Sequence, residues 1–543
     1  MKIQKTLFSD KEIAVGKIVP IVKKKIVFKS YSQAQDFLLP KSLHEFVEPG
    51  HIARLISEII DEMNIDHIIE TYQGGGTSAF NPRMLLKEWI LGFVNKIYSC
   101  RMLAKELREN LTFIWISGNQ KPDFRTLNNF RLRLRDDIKS VFKQIVQYGI
   151  QEGIIEGKDV FIDHTKRSAN ANRHKVVWKK QVGNQSRKID EELDKLFDHI
   201  DKINADEEKV FGNKDLPEQE RKGFDKEKIK KIVEKINKEL KDKKISREQA
   251  REEKKKLNRA IELLDRRVVY EQKKEILNNR NSYSKTDNDA VAMLMKDKLT
   301  VRPAYNEGIA VEKGFVLNYE VSNKVSDSVN FVPLMEGTIS NLDRLPENAN
   351  ADAAYGNEEN WSFLQKHGIK NFLKYGLYRK EKSKKWKAEK LRFDDFIYDK
   401  EKDEFICKNN ERLSLVDKFE EITRTGYVRA INKYQAPEGV CINCPFRALC
   451  TKSRARTIEL SWKGELLKQQ ARANLESEKG KELRKRRGNE IESVFGDGKL
   501  NKNKDRYLLR GLSKVNIEAG LYYISHNVRK IQIFLSQKAQ TPN

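Results

Sequence analysis

Val160-Phe161-Ile162-Asp163-His164-Thr165-Lys166 is the stretch on which the reading of this chain turns. Gly153 and Gly157 come before it, and Asp159 to Asp163 reads as a turn entering a strand that ends in the acid. Phe161 and Ile162 can pack on opposite faces of a sheet, which leaves Asp163 at its rim. Two further carboxylates stand in comparable settings. Asp352 closes the small-residue run Asn348-Ala349-Asn350-Ala351 and leads into Ala353-Ala354-Tyr355-Gly356. Glu492 lies in Asn489-Glu490-Ile491-Glu492-Ser493-Val494-Phe495-Gly496, where a helix would bury Ile491, Val494 and Phe495 and turn Glu492 to the rim. On a continuous helix Lys485 and Lys499 would share the face of Glu492. Magnesium and manganese prefer hard oxygen ligands, and two such ions can bracket one phosphate. Taken singly, each acid also reads as a turn, cap or solvated helix residue. Asp159, Asp343 and Glu490 are nearby competitors.

The bulk chemistry favours a polyanion as partner. The 543 residues carry 106 Lys+Arg against 80 Asp+Glu, a formal net charge of +26. Such an excess points to nucleic acid rather than an acidic small molecule, the plain alternative being a generally basic surface. No stretch approaches the ~20 apolar residues of a membrane span. The N-terminus Met1-Lys2-Ile3-Gln4-Lys5-Thr6 lacks the apolar core of a signal peptide. The expected location is the cytoplasm, in association with the nucleoid.

Along the chain, residues 1–40 are basic and β-branched with a weak strand or tail signal. Helical spacing follows: Ile52, Leu55, Ile56, Ile59 and Ile60 form one stripe, and Asn81-Pro82 opens a second helix after the break at Gly74-Gly75-Gly76. A third carries Leu103 and Leu107; a fourth carries Leu127, Phe130, Leu134 and Ile138. With Arg125, Arg131, Arg133 and Arg135 exposed, these helices read either as a helix-turn-helix DNA reader or as a plain bundle. Residues 180–280 are rich in Lys and Glu, with Leu193, Leu196, Ile200 and Ile203, then Ile229 to Leu240, then Leu257 to Leu264 at helical spacing. Breaks at Gly212 and Pro217 favour an intramolecular hairpin over a long coiled coil. Strands return near 300, with turns predicted at Asn306-Glu307-Gly308 and Lys313-Gly314. A helix is predicted over 358–367, strands near 371–378, 391–398 and 404–408, and helices over 460–500 and 506–538.

Four of the five cysteines cluster late in the chain: Cys407, Cys441, Cys444 and Cys450. Cys441-Ile442-Asn443-Cys444 is a familiar half-site for tetrahedral zinc, and Cys407 and Cys450 could complete a structural zinc site. Reduced, packed thiols are the plain alternative.

Three acid blocks and the N-terminal helices also carry a family resemblance. Asp163-His164-Thr165-Lys166-Arg167-Ser168-Ala169-Asn170-Ala171-Asn172, Asp352-Ala353-Ala354-Tyr355-Gly356 and Ile491-Glu492-Ser493-Val494-Phe495-Gly496-Asp497-Gly498-Lys499 resemble the catalytic blocks of bacterial insertion-sequence DDE transposases. The likeness is to the group called the eleven-eighty-two family, with an InsH-like N-terminal domain. Phe80-Asn81-Pro82-Arg83-Met84-Leu85-Leu86 and Phe124-Arg125-Thr126-Leu127 resemble that domain. Gly is usual in the family where His164 and Ala354 stand here. A related signature places Arg four residues before the Glu; here Gly488 holds that place and Arg487 the one before it.

The resemblance implies an α/β protein: a helical N-terminal domain over 1–150 for DNA-end binding, then an RNase-H-like mixed-sheet catalytic domain over 151–540. A charged helical insertion at 180–280 and a mixed, cysteine-containing insertion at 375–475 would interrupt the second domain. Asp163, Asp352 and Glu492 would hold two Mg2+ or Mn2+ ions, with Lys499, Lys485, Arg487 and Lys166 as phosphate contacts. The implied partners are double-stranded DNA, as terminal inverted repeats and as target, and a second copy in a homodimer on paired ends. The implied reaction is cleavage at transposon ends followed by strand transfer. A transposase-derived DNA-binding protein without catalysis, or a metal-dependent nuclease that does not join, are the alternatives.

Overall fold

The computed structural model describes residues 42–72, 78–211, 234, 238, 246–297, 299–502 and 504–540. The readings for 1–40, Gly74 to Gly76, Gly212, Pro217 and the stripe from Ile229 to Leu240 lie outside the described residues.

The N-terminal region is helical: Ile52–Glu62, Pro82–Val94, Cys100–Glu109, Leu111–Ile116, Phe124–Arg133 and Ile138–Gln151. Asn81 caps the second of these, its side chain accepting from the Arg83 amide, with Pro82 in the first turn where it costs no hydrogen bond. One helix was expected through Leu134 and Ile138, but the chain turns between Arg133 and Ile138 and two helices form. Arg125, Arg133 and Arg135 are exposed. Arg131 is not: it is buried, with its guanidinium 4.6 Å from the centre of the Trp89 ring.

A mixed sheet of six strands follows. They are β1 (Asp159–Ser168), β4 (Val291–Leu294), β5 (Val301–Glu312), β6 (Phe315–Ser322), β7 (Asn348–Ala351) and β8 (Lys370–Leu373), with the short pair β2 (Val176–Trp178) and β3 (Ser282–Ser284) set apart. β5 runs antiparallel to β1 on one edge; along its other edge lie β4 and then β6. β1, β7 and β8 are mutually parallel. Consecutive residues of β1 and β5 are buried, so both faces of the sheet's centre are covered.

Two expectations change here. β1 does not end at Asp163 but continues to Ser168, because β5 pairs with it that far. The turn expected at Asn306-Glu307-Gly308 is continuous strand, while the turn at Lys313-Gly314 forms with both residues at positive φ. The three consecutive amides of Glu156, Gly157 and Lys158 that lead into β1 donate to the Glu312 carboxylate at the end of β5, at 3.0, 2.7 and 3.0 Å.

Between β2 and β3 the chain forms two long helices, Lys179–Phe211 and Arg247–Leu277, which pack through Ile189, Leu193, Leu257, Ala260 and Leu263. After β8 come β9 (Ile397–Asp399), β10 (Glu404–Ile406), β11 (Arg412–Ile422), β12 (Val428–Gln435) and β13 (Thr457–Leu460), an antiparallel sheet over Phe405, Leu413, Tyr434 and Ile458. Helices Trp462–Glu476 and Glu478–Arg487, a helical stretch to Asn501 and helix Leu512–Gln540 follow. That last helix packs on β6 and on the helices Pro82–Val94 and Ile138–Gln151. One apolar core therefore runs from Ala53 to Ile531. No described helix is long and apolar enough to cross a membrane.

Candidate active site

The first two acids are set by the sheet. The parallel ladder between β1 and β7 runs from Asp159↔Asn348 to Ile162↔Ala351. The next residues along the chain are Asp163 and Asp352. Both therefore stand one step beyond the last β1–β7 pair, Asp163 within β1 where that strand goes on paired with β5, and Asp352 in the turn that follows β7. Gly356 lets the second block fold close beneath β8: a Cβ there would lie 2.2 Å from the Lys374 carbonyl oxygen.

One guanidinium joins the two acids. Arg487 places Nη1 3.2 Å from Asp352 Oδ1 and Nη2 3.4 Å from Asp163 Oδ2. Its side chain is buried, and Nε and Nη2 have no well-aligned hydrogen-bond acceptor among the described residues. Lys374 stands 3.6 Å from Asp352, which is half-exposed. Burial raises the pKa of Asp163 above the ordinary carboxylate range, against the pull of Arg487 and of the His164 amide. The charge of Asp352 adds to the rise and that of Lys296 opposes it.

The competing acids are engaged elsewhere. Asp159 is held by Lys479 at 3.0 Å and Arg486 at 2.7 Å. Asp343 ends a helix in the left-handed region and pairs with Lys143 at 2.6 Å. Glu490 accepts from the Gly314 amide at 2.8 Å and from Arg486 at 3.1 Å.

Glu492 sits on a helix that is not purely α. Gly488–Glu492 and Asp497–Asn501 are π-helical, with the α-turn Ser493–Gly496 between them. A π-turn closes i→i+5 instead of i→i+4, so it absorbs one extra residue. Arg487, five before Glu492, consequently takes the angular place that a residue four before it holds on an α-helix. Ile491, Val494 and Phe495 are buried and Glu492 is exposed, as the stripe predicts. Glu492 makes no ion pair with a described residue.

The π-turns also break the phase that would align Lys485, Glu492 and Lys499. Lys485 is exposed in a shallow depression with Glu478, Lys481, Glu482 and Arg484. Lys499 instead reaches back to β1 and donates to Thr165 Oγ1 at 2.8 Å. Burial, then the charges of Lys296 and Arg167, bring its pKa down to about 8. Lys166 is ion-paired with Asp327.

His164 is a buried neutral imidazole: burial pushes its pKa down to about 4. Its Nδ1 lies 2.7 Å from the Tyr355 hydroxyl, tying the first acid block to the second. Gly308, directly opposite on β5, supplies its space; a Cβ there would fall 2.2 Å from His164 Nε2. Sequence reading missed Tyr355, Lys374, Gly308 and Lys296. The Tyr in the second block was the available signal for the first of these.

Among the described residues no group of three or more His, Cys, Asp and Glu side chains is drawn together tightly enough to hold a metal ion. The donors nonetheless suit one in chemistry: two hard carboxylates, each one step past the β1–β7 ladder, already share a single cationic group, Arg487. Cys407, Cys441, Cys444 and Cys450, all free thiols, line one cavity of about 20 Å³ beside the second sheet. Burial raises the Cys450 thiol pKa, opposed by the charge of Arg456 and helped by the other three sulfurs.

Two family models match the chain. A transposase DDE domain covers residues 406–532, including the four clustered cysteines, Glu492 and Lys499. A transposase domain (DUF772) covers residues 41–133, the N-terminal helices. No curated protein and no solved structure matches. Over these two segments the chain is similar to transposases, which supports a transposase of the insertion-sequence kind.

Proposed function

We propose that the chain is a DDE transposase that cleaves DNA at the ends of its element and joins the freed 3′ hydroxyl to target DNA. The observation that carries this reading is the pairing of Asp163 and Asp352 beyond the parallel ladder, bridged by Arg487, while Asp159, Asp343 and Glu490 are spent on structural contacts. Three antiparallel strands, β6, β5 and β1, continued by the parallel β7 and β8, support an RNase-H-like catalytic sheet.

Asp163, Asp352 and the exposed Glu492 would hold two Mg2+ or Mn2+ ions. Those ions, when bound, would polarise the phosphodiester and activate the attacking oxygen. Arg487 must give up at least part of its hold on the two acids before they can take a divalent cation, and a phosphate is the natural acceptor for the guanidinium so released. Lys499, pinned by Thr165 two residues past Asp163, is placed to meet the same backbone. Lys485 adds an exposed cation, and Lys166 would have to leave Asp327 to contribute. The DNA partners are the terminal inverted repeats and the target, with a homodimer on paired ends. The four clustered cysteines are proposed to take a structural zinc ion, supported by their convergence on one cavity.

The test uses a plasmid carrying the gene with its natural flanks. Asp163→Asn is expected to retain binding to the flanking DNA and to lose Mg2+-dependent cleavage. Cleavage by the variant at the wild-type rate would refute the assignment. Pre-cut ends with a free 3′ hydroxyl separate transposase from nuclease, since only the former yields joined product.

A further inference from the structure

Lys296 lies outside every motif the sequence offers. It follows β4 in the loop Met295 to Thr300, which is closed by the Met295 amide donating to the Thr300 carbonyl at 2.9 Å. Asp297, the neighbouring acid, is spent within that loop. Its carboxylate accepts from the Leu299 and Thr300 amides at 2.9 Å each and from the Thr300 hydroxyl at 2.5 Å. Lys296 is exposed and its ammonium stands 5.6 Å from the centre of the Phe495 ring. Phe495 belongs to the third acid block, three residues after Glu492 and four before Lys499. The loop after β4 thus lays a cation over the segment that carries Glu492 and Lys499.

Neither lysine has a carboxylate at ion-pair distance among the described residues. The half-buried Lys499 has only the Thr165 hydroxyl, and Lys296 only the face of Phe495. Lys296 rests on Phe495, Lys499 follows four residues later on the same helical stretch and reaches Thr165 on β1, and the charge of Lys296 weighs on both Lys499 and Asp163. Two like charges so placed, with no carboxylate at ion-pair distance among the described residues, repel one another. An anion shared between them reverses the sign of the arrangement.

We propose that Lys296 and Lys499 form a two-lysine subsite for a DNA phosphodiester beside Asp163, Lys296 supplying an outer contact that neither the acid blocks nor the N-terminal helices provide. This rests on the reading of the chain as a DNA-processing enzyme. The charges favour a backbone phosphate over a base edge, because two ammonium groups gain most from a partner that carries a full negative charge, and base edges are neutral.

The experiment measures binding of an arbitrary-sequence duplex to the full chain in EDTA across roughly 50–300 mM salt. Lys296→Ala is expected to weaken binding about three- to tenfold near 0.1 M salt and to reduce the slope of log affinity against log salt by about one. Lys296→Arg should restore the slope. The loss in Lys296→Ala/Lys499→Ala should be smaller than the sum of the single losses, as for two groups gripping one phosphate. A readout free of DNA accompanies these: the Lys499 amine, followed by NMR of labelled lysine, should titrate at higher pH in Lys296→Ala. An unchanged slope, or strictly additive losses, would overturn the phosphate subsite. An unmoved Lys499 titration would overturn the pairing of the two lysines. Absence of DNA binding by the wild-type chain would instead count against the proposed function.

Discussion

Gly308 and His164 face each other across β5 and β1, and the pair shows how the site's chemistry is fitted into a closed sheet. A glycine inside a central strand sacrifices packing and backbone entropy, and a buried imidazole needs both volume and a partner. Here each answers the other: Gly308 vacates the space, His164 fills it, and the Tyr355 hydroxyl shares a hydrogen bond with Nδ1. Gly308→Ala alone is therefore expected to lower stability by about 1–3 kcal/mol through overpacking. Adding His164→Gly should recover much of that loss, and the coupling can be read from a denaturant-unfolding cycle of the four proteins. Strict additivity would mean that the two residues do not share the space. Arg487 is a second residue whose meaning depends on its setting. By spacing alone it stands one place off, and only the π-turn from Gly488 to Glu492 brings it into phase.

Among the elements, the second sheet was the hardest to foresee. The long hairpin of β11 and β12 is mostly solvent-facing, with Asp417, Lys418, Glu420 and Glu421 breaking any apolar alternation, so it gave no strand signal. β1 was legible because Val160, Phe161 and Ile162 form a continuous apolar run. Its extension past Asp163 was not, since Lys166 and Arg167 look like loop residues until their partners are known. Arg167 is fully buried against Glu307 at 2.6 Å, with Tyr507 and Tyr523 donating to the same carboxylate. Glu307 read as a turn residue for the same reason: a buried charge network joins segments more than a hundred residues apart and leaves no local pattern. The helices came through well because caps such as Asn81 and Asp123 are local. For the second sheet, cobalt added to the metal-free chain is expected to give the intense thiolate-to-metal absorption of tetrahedral sulfur coordination, lost in Cys441→Ser/Cys444→Ser. A featureless spectrum would leave the four thiols as packing only.

At the scale of the whole molecule, the helices before residue 152 do not own a separate core. Ile138, Val141 and Phe142 belong to the same apolar body as Tyr319, Val515 and Tyr523, and the Tyr98 hydroxyl donates to the Lys502 carbonyl at 3.0 Å. A fragment of residues 42–151 should consequently expose one face and fail to melt cooperatively, while co-expression with residues 504–540 should improve it. A sharp, reversible thermal transition of the fragment alone would contradict the shared core. Proteins whose core spans remote segments tend to unfold as one unit, so weakening the last helix should also weaken the first.

The step that Asp163 and Asp352 take beyond their ladder has a further consequence. Their separation is a property of the hydrogen-bonded backbone, the spacing of about 4.8 Å between adjacent strands, and owes nothing to the length of chain between them. That chain already contains two long helices, and another stretch separates Asp352 from Glu492. The sheet works as a ruler with fixed graduations: loops can lengthen and whole modules can be spliced between the marks, and the first two acids will still be read at the same distance.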